Sequence, residues 1–347
     1  PLCPGDPGTG RRPPGPVPQF SALGDIAMTV PVIYSVARSH PEMDIYVATR
    51  PFFGRMFVNA PSNVTVMPFD LKGEYRGIRG VFRIARELAR LKADYVADLH
   101  DILRTRLIGM YLRMRGARVA RVDKARGIRR AVFAGGEPQR QYIDRYFDVF
   151  RKLGADASMN FSSIYQSADP VKLPAEISCP AVGIAPFARY STKTYPPEKM
   201  RRVARMLARE GMNVYLFGGR GKEAETLDSW QEDPDAGRGE IVSLAGRYPL
   251  EEELALMSRL EVMVSMDSAN QHLAGLAGTK VVSVWGSTTP ACGFLGFGQD
   301  SRNAVVLNIA CQPCTIAGSK SCPLGHMDCL NKISEETIVN KVKELFR

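Results

Sequence analysis

"VFRIARELARLKADYVADLH", residues 81–100, changes its period half-way, and that change decides the fold. Val81, Ile84, Ala85, Leu88 and Leu91 recur at helical spacing with charged residues between them, which predicts an amphipathic helix. "DYVADLH" (94–100) then reads as a buried strand. Upstream, "MDIYVA" (43–48) and "NVTVMPF" (63–69) are further strands, so the order strand, helix, strand predicts a parallel sheet with helical crossovers. Ile26, Val30, Ile33 and Ala37 share one helical face, which Pro31 is expected to kink or restart.

A second alternating set follows "QSADPVKLPAEISCP" (166–180), a polar, proline-broken stretch that reads as a linker. Its strands are "AVGIA" (181–185), "NVYLFGG" (213–219), "EVMVSM" (261–266) and "KVVSVWG" (280–286), with a helix entered through Pro196 and Pro197. The expected organisation is an N-terminal Rossmann-like domain over 19–170, a second over 171–332 and a C-terminal helix over 333–347. Two doubly wound halves facing a central cleft would bind ligands at the carboxyl ends of their strands. Residues 1–18 hold seven prolines and little apolar surface, and are expected to be a disordered or non-native leader.

The chain has 347 residues, 45% of them hydrophobic, and no apolar run approaching the roughly 20 residues a bilayer span requires. A soluble, cytoplasmic protein is expected. Its charge of +10 is uneven: residues 101–130 hold ten Lys or Arg against Asp101 and Asp123. Such a patch fits a polyanion or, more simply, a solvated helical face. Tyr111 is the patch's one aromatic residue and no nucleic-acid motif accompanies it, so a basic nucleic-acid-binding protein is the weaker reading. The seven cysteines, an odd number without an export signal, argue for reduced thiols.

The unusual polar residues cluster at strand ends. "VSMDSANQHLAG" (264–275) runs from strand into helix, with Asp267 or Ser268 as N-cap and small residues in the first turn. That suits a phosphate on the free N–H groups, and it equally suits plain helix capping. Ser191, Thr192 and Lys193 offer two hydroxyls and an ammonium for a diphosphate. In "FGGRGKEAE" (217–225), Glu223 follows paired glycines and could accept from ribose hydroxyls. Leu216 and Glu223 break the Walker pattern, and no G-x-G-x-x-G follows a strand, which weakens a nicotinamide or flavin dehydrogenase. Cys311, Cys314, Cys322 and Cys329 form C-x2-C-x7-C-x6-C with His326 between the last two; structural zinc and buried thiols both remain open.

"SALGD" (21–25), "DLHDILRT" (98–105), "TKTYPPEK" (192–199), "FGGRGKE" (217–223), "DSANQHLAG" (267–275) and "WGSTTP" (285–290) together resemble glycosyltransferase family 9, the heptosyltransferases of the bacterial lipopolysaccharide inner core. The resemblance runs from Phe20 nearly to the carboxyl terminus. It implies an α/β, GT-B fold, an ADP-activated heptose donor, inversion at the anomeric carbon, an acceptor sugar on lipid A, no required cofactor, and peripheral contact with the inner face of the cytoplasmic membrane. Asp25 would then be the general base, with helix capping as the structural alternative. Arg104 would stabilise charge; Thr192, Lys193, Glu223, Asp267, Ser268, Ala269 and His272 would hold the donor, although His272 also suits a core position. Arg113, Arg115, Arg118 and Lys124 would hold the phosphorylated acceptor. Three departures from the family pattern stand out: "RRPPGPVPQF" where an apolar first strand normally precedes the Ser-x-x-Gly-Asp turn, Ala269 in place of a frequent glycine, and Arg104 in place of a lysine found in some members. A glycosyltransferase of the same fold using another nucleotide sugar is the alternative.

Overall fold

A computed structural model describes residues 12–125, 132, 138–166, 172–231 and 237–346, in two compact α/β units. Unit 1 comprises Pro1–Arg126 and Tyr142–Ser167, and unit 2 comprises Gly127–Gln141 and Ala168–Arg347. The expected boundary at 170 falls among residues outside the described ones. Gly127–Gln141, expected in the first domain, groups with unit 2, where Gln139 N–H donates to the Ala291 carbonyl at 2.7 Å.

Unit 1 is built from β1 (Arg12–Pro18), α1 (Leu23–Ser39), β2 (Met43–Thr49), α2 (Pro51–Gly54), β3 (Val64–Pro68), α3 (Gly77–Arg90), β4 (Tyr95–Asp98), α4 (Leu103–Arg113), β5 (Arg118–Arg121) and α5 (Tyr142–Leu153). β1, β2 and β3 form one parallel ladder and β4 and β5 another. β4 lies beside β1 so closely that a Cβ on Gly15 would strike the Tyr95 ring. The spatial order is therefore 3-2-1-4-5, the doubly wound arrangement.

β1 replaces the disorder expected of residues 12–18: they form a strand with Val17 fully buried, while residues 1–11 lie outside the described ones. A strand holding four prolines survives here because its ladder runs to β2 alone. α1 likewise runs through Pro31 as a single helix, its buried face spanning Ile26 to Ala37. α3 and α4 pack together on the sheet through Val81, Ile84, Leu88, Ile108 and Leu112.

Unit 2 continues with β6 (Ala181–Ala185), α6 (Pro197–Arg209), β7 (Asn213–Leu216), α7 (Lys222–Gln231), β8 (Ile241–Ser243), α8 (Leu250–Met257), β9 (Val262–Met266), α9 (Ala269–Ala277), β10 (Lys280–Val284), β11 (Ala304–Val305), α10 (Asp328–Asn331) and α11 (Glu335–Leu345). Its parallel sheet has the order β8-β7-β6-β9-β10-β11, the same winding as unit 1. The central strands are buried on both faces, which is why they read as unbroken apolar runs. α11 closes this core through Ile338, Val339 and Val342, so the expected separate C-terminal helix is an integral layer of unit 2.

Candidate active site

In each unit the winding reverses between two central strands, β1 and β4 in unit 1 and β6 and β9 in unit 2. A crevice opens at the carboxyl ends of such a strand pair. In unit 1, β1 leads to the Ser21–Asp25 turn and β4 to His100–Arg104. Phe20 N–H donates to His100 Nδ1 at 3.4 Å, and His100 Nε2 lies 3.2 Å from Ser21 Oγ. Because Nδ1 accepts, the neutral ring carries its proton on Nε2, which donates to Ser21. Burial first, then the positive charges of Lys124 and Arg104, push the His100 pKa down to about 4. Asp98 Oδ1 in turn accepts from the His100 and Asp101 N–H groups and fixes this loop.

Asp25 stands in the first turn of α1, where its Oδ2 accepts from Ala22 N–H at 3.1 Å. The capping alternative is thus half realised: Asp25 is inside the helix and satisfies the chain before it. Tyr146, on α5, is buried nearby, and burial together with the Asp25 charge raises its phenol pKa well above the ordinary value. Arg104 is half-buried and its Nε has no hydrogen-bond partner among the described residues. Lys124 lies at this same end, within electrostatic reach of His100.

Arg113, Arg115 and Arg118 do not join them. α4 starts at the carboxyl end of β4 and descends its eleven residues, about 16 Å, to the other edge of the sheet. Arg113 ends it, Arg115 stacks on Tyr111 at 5.3 Å, and Arg118 opens β5 beside Tyr95 at the amino end of β4. The continuous basic segment of sequence is therefore split by the fold, and only Lys124 of the four expected acceptor ligands lies with Asp25 and Arg104.

In unit 2 the reversal is bridged by an ion pair. Lys193, in the loop after β6, places Nζ 2.9 Å from Oδ2 of Asp267, which directly follows β9. Thr288 Oγ1 donates to the same oxygen and Gln271 Nε2 to the other at 3.2 Å. Ser268 is the N-cap of α9 but gives no side-chain cap, which leaves the N–H groups of the first turn, beginning at Ala269, for another acceptor. His272 is buried with Nδ1 unpartnered among the described residues; burial, then Lys193, push its pKa down to about 3, so it is a neutral imidazole.

Thr192 has a different place from the expected one. Its hydroxyl is buried, donates to the Ser319 carbonyl at 2.8 Å, and accepts from Ser319 N–H at 3.0 Å and Ser287 Oγ at 2.9 Å. It holds Lys193 in position and has no capacity left for a diphosphate. Glu223 Oε2 accepts from Gly219 N–H at 2.7 Å and closes the glycine turn after β7. Sequence reasoning missed His100, Tyr146, Gln271 and Thr288; a buried polar residue next to a strand end was the available signal for His100 and Thr288.

The family profile of glycosyltransferase family 9 (heptosyltransferase) matches residues 81–325, which carry His100, Lys193 and Asp267. The chain belongs to glycosyltransferase family 9. Its GT-B fold is shared with the family 9 glycosyltransferase of Veillonella parvula, at a TM-score of 0.71 and 20% identity over 96% of this chain and 97% of that one. Escherichia coli heptosyltransferase WaaC with ADP gives 0.65 and 16%, over 96% and 99%. Among curated relatives, lipopolysaccharide heptosyltransferase 3 of Escherichia coli is 24% identical over 292 residues, 76% of this chain and 81% of the relative. This family 9 enzyme has no helix, among the described residues, long and apolar enough to cross a membrane.

Cys311, Cys314, Cys322 and Cys329 of the glycosyltransferase line one small cavity with His326, beside Thr192 and Ser287. Cys311 Sγ and His326 Nε2 are 3.9 Å apart. Among the described residues, however, no three such side chains are arranged to hold a metal ion. Burial raises the thiols of Cys314 and Cys329, the latter to about 11, whereas backbone N–H groups, Met327's first, lower that of Cys322.

Proposed function

We propose that the enzyme transfers a heptose from an ADP-activated donor to an inner-core sugar of a lipopolysaccharide acceptor, with inversion at the anomeric carbon. The observation that carries this reading is the pair of half-buried Lys193 and buried Asp267 at the strand reversal of unit 2, set against the uncapped start of α9. A diphosphate there would meet an ammonium, free helix N–H groups and a neutral imidazole, His272. The relatives' names supply the sugar and acceptor: a lipopolysaccharide heptosyltransferase by sequence, and a heptosyltransferase solved with ADP by fold.

In the proposed reaction the acceptor hydroxyl attacks the anomeric carbon on the face opposite the diphosphate while Asp25 takes its proton. The bond from the anomeric carbon to the phosphate oxygen breaks, and ADP leaves with the electron pair. Lys193 and the α9 terminus neutralise the charge that develops on ADP, with Ser268 and Ala269 allowing close approach. Arg104 and Lys124 hold negative groups of the acceptor near Asp25. Glu223, already fixed to Gly219, is assigned to the nucleotide's ribose through its remaining oxygen. Catalysis would take place at the inner face of the cytoplasmic membrane.

A thermal-shift comparison tests the donor. A ligand that binds only the folded state raises its apparent stability, by about 2.7 kcal/mol at a hundredfold excess over Kd. ADP and ADP-sugars are expected to shift the melting temperature more than UDP or GDP at equal concentration. Equal shifts favour the alternative of another nucleotide sugar. Zinc at Cys311, Cys314, Cys322 and Cys329 would require these side chains to draw together from their present positions, and one equivalent of zinc per purified chain would establish it.

A further inference from the structure

The outer face of α3 and α4 carries a combination that the proposed reaction does not use. Eight large apolar side chains are exposed among the described residues, and five of them, Ile78, Phe82, Leu103, Met110 and Met114, lie on these two helices or at the residue that follows α4. Leu103 is 74% exposed and Met114 73%, values at which a side chain stands almost wholly in water. Single exposed apolar residues are ordinary, but a concentration on one pair of packed helices marks an interaction surface.

Their spacing makes a face of them. On α4, Leu103, Arg106, Met110 and Met114 follow one another at three- and four-residue steps, with Arg113 three residues after Met110, while Ile108 and Leu112 on the opposite side are buried against α3. On α3, Ile78 and Phe82 are one turn apart, flanked by Arg79, Arg83, Arg86 and Arg90, which form a row of their own. The two helices hold seven arginines against one acidic residue, Glu87. Arg83 pairs with Glu74 and Arg106 with Asp101, but Arg79, Arg86, Arg90 and Arg113 have no ion-pair partner among the described residues.

We infer that this face docks unit 1 on an anionic phospholipid bilayer. Leu103, Met110, Met114, Ile78 and Phe82 would enter the boundary between head groups and acyl chains, and the arginines would lay their apolar stems beside them with guanidinium groups on the phosphates. Charge selects this occupant. A second copy of the chain would bring arginine row against arginine row, and a protein interface core is depleted of such unpaired charge. Single-stranded nucleic acid would use aromatic stacking platforms, and Phe82 is the one exposed aromatic side chain on the two helices, Tyr111 being half-buried beneath Arg115. Arg115 and Arg118, at the foot of α4, extend the positive rim. The inference deepens the proposed function by placing unit 1 at the surface where a lipid-linked acceptor resides, yet it stands on the helices' own composition.

Vesicle flotation of the full chain tests it, with phosphatidylcholine alone or mixed with phosphatidylglycerol. The unaltered protein is expected to float with the mixed vesicles and to stay behind with the neutral ones. Leu103→Ser/Met110→Ser/Met114→Ser and Arg79→Glu/Arg86→Glu/Arg90→Glu should each lower binding at least about tenfold, with melting temperature unchanged. Leu324→Ser, which removes an exposed leucine of unit 2, should bind as the parent does. Met110→Trp adds a reading independent of variant stability: the fluorescence of the introduced indole should shift to the blue on mixed vesicles. Equal flotation with neutral vesicles, parental binding by the serine variant, an unshifted emission spectrum of the Met110→Trp protein, or a dimer that only the serine variant dissolves would each overturn the inference. Failure of heptosyl transfer to a water-soluble, deacylated acceptor would instead count against the proposed function and leave vesicle binding standing.

Discussion

Turnover by the Asp25→Asn protein is expected to fall by roughly 10² to 10⁴, the range for a lost general base, while its melting temperature hardly moves. The two readings of Asp25 part on this variant because Asn keeps the carbonyl-type oxygen that accepts from Ala22 N–H. What Asn loses is the charge, whose interaction with the helix N-terminus is worth about 0.3–1 kcal/mol, and the ability to take a proton. Donor affinity should stay unchanged, since the Lys193–Asp267 site belongs to unit 2. Wild-type turnover in a stable Asp25→Asn protein would leave Asp25 with its structural bond alone. Tyr146→Phe is the useful companion: it removes the phenol whose pKa the Asp25 charge helps to raise, without altering the turn.

Lys193→Ala carries the second large effect, and it should act on both folding and binding. Asp267 is buried, and deleting its half-buried cationic partner leaves a carboxylate with little solvent to replace the lost charge. Breaking a buried pair from one side costs about 3–5 kcal/mol, and the hydrogen bonds from Thr288 and Gln271 hold the loss here to the lower part of that range. Donor affinity should fall sharply in the same variant, with acceptor affinity little changed. Lys193→Met combined with Asp267→Asn separates the two effects. Neutralising both partners should restore much of the stability and none of the donor affinity, and recovery of donor binding in that double variant would refute the role of Lys193 toward the diphosphate.

Periodicity exposed the unbroken apolar strands at 181–185, 261–266 and 280–286 because strands covered on both faces leave a signal that needs no knowledge of neighbours. β1 stayed hidden for the opposite reason. Its prolines argue against any strand with ladders on two sides, and only the packing of Gly15 on Tyr95 shows that one side of this strand needs no ladder. The candidate site divides in the same way. Lys193 and Asp267 were legible as polar residues at strand ends and Asp25 as a carboxylate in a Gly-Asp turn at a helix start, but the Lys193–Asp267 pair joins segments remote in sequence, and no spacing rule reports it. The basic stretch from 101 to 130 misled because charge summed along a chain ignores direction. Arg104 and Arg113 are neighbours in composition and stand at opposite ends of one helix.

Thr192 gives the loop after β6 a property that follows from its bonds. One hydroxyl gathers the loop after β6, the Gly286–Ser287 turn after β10 and the Ser319 segment, and the Thr192 carbonyl adds a further bond from Ser287 N–H at 2.9 Å. The backbone that carries Lys193 is therefore ordered by folding, and the conformational entropy of ordering it is already spent before any ligand arrives. For this loop to swing as a gate, those four hydrogen bonds would have to break. Changes near Ser319, in a segment with no assigned contact to the donor, should then register as weaker donor affinity, because they loosen the anchor from which the ammonium is held.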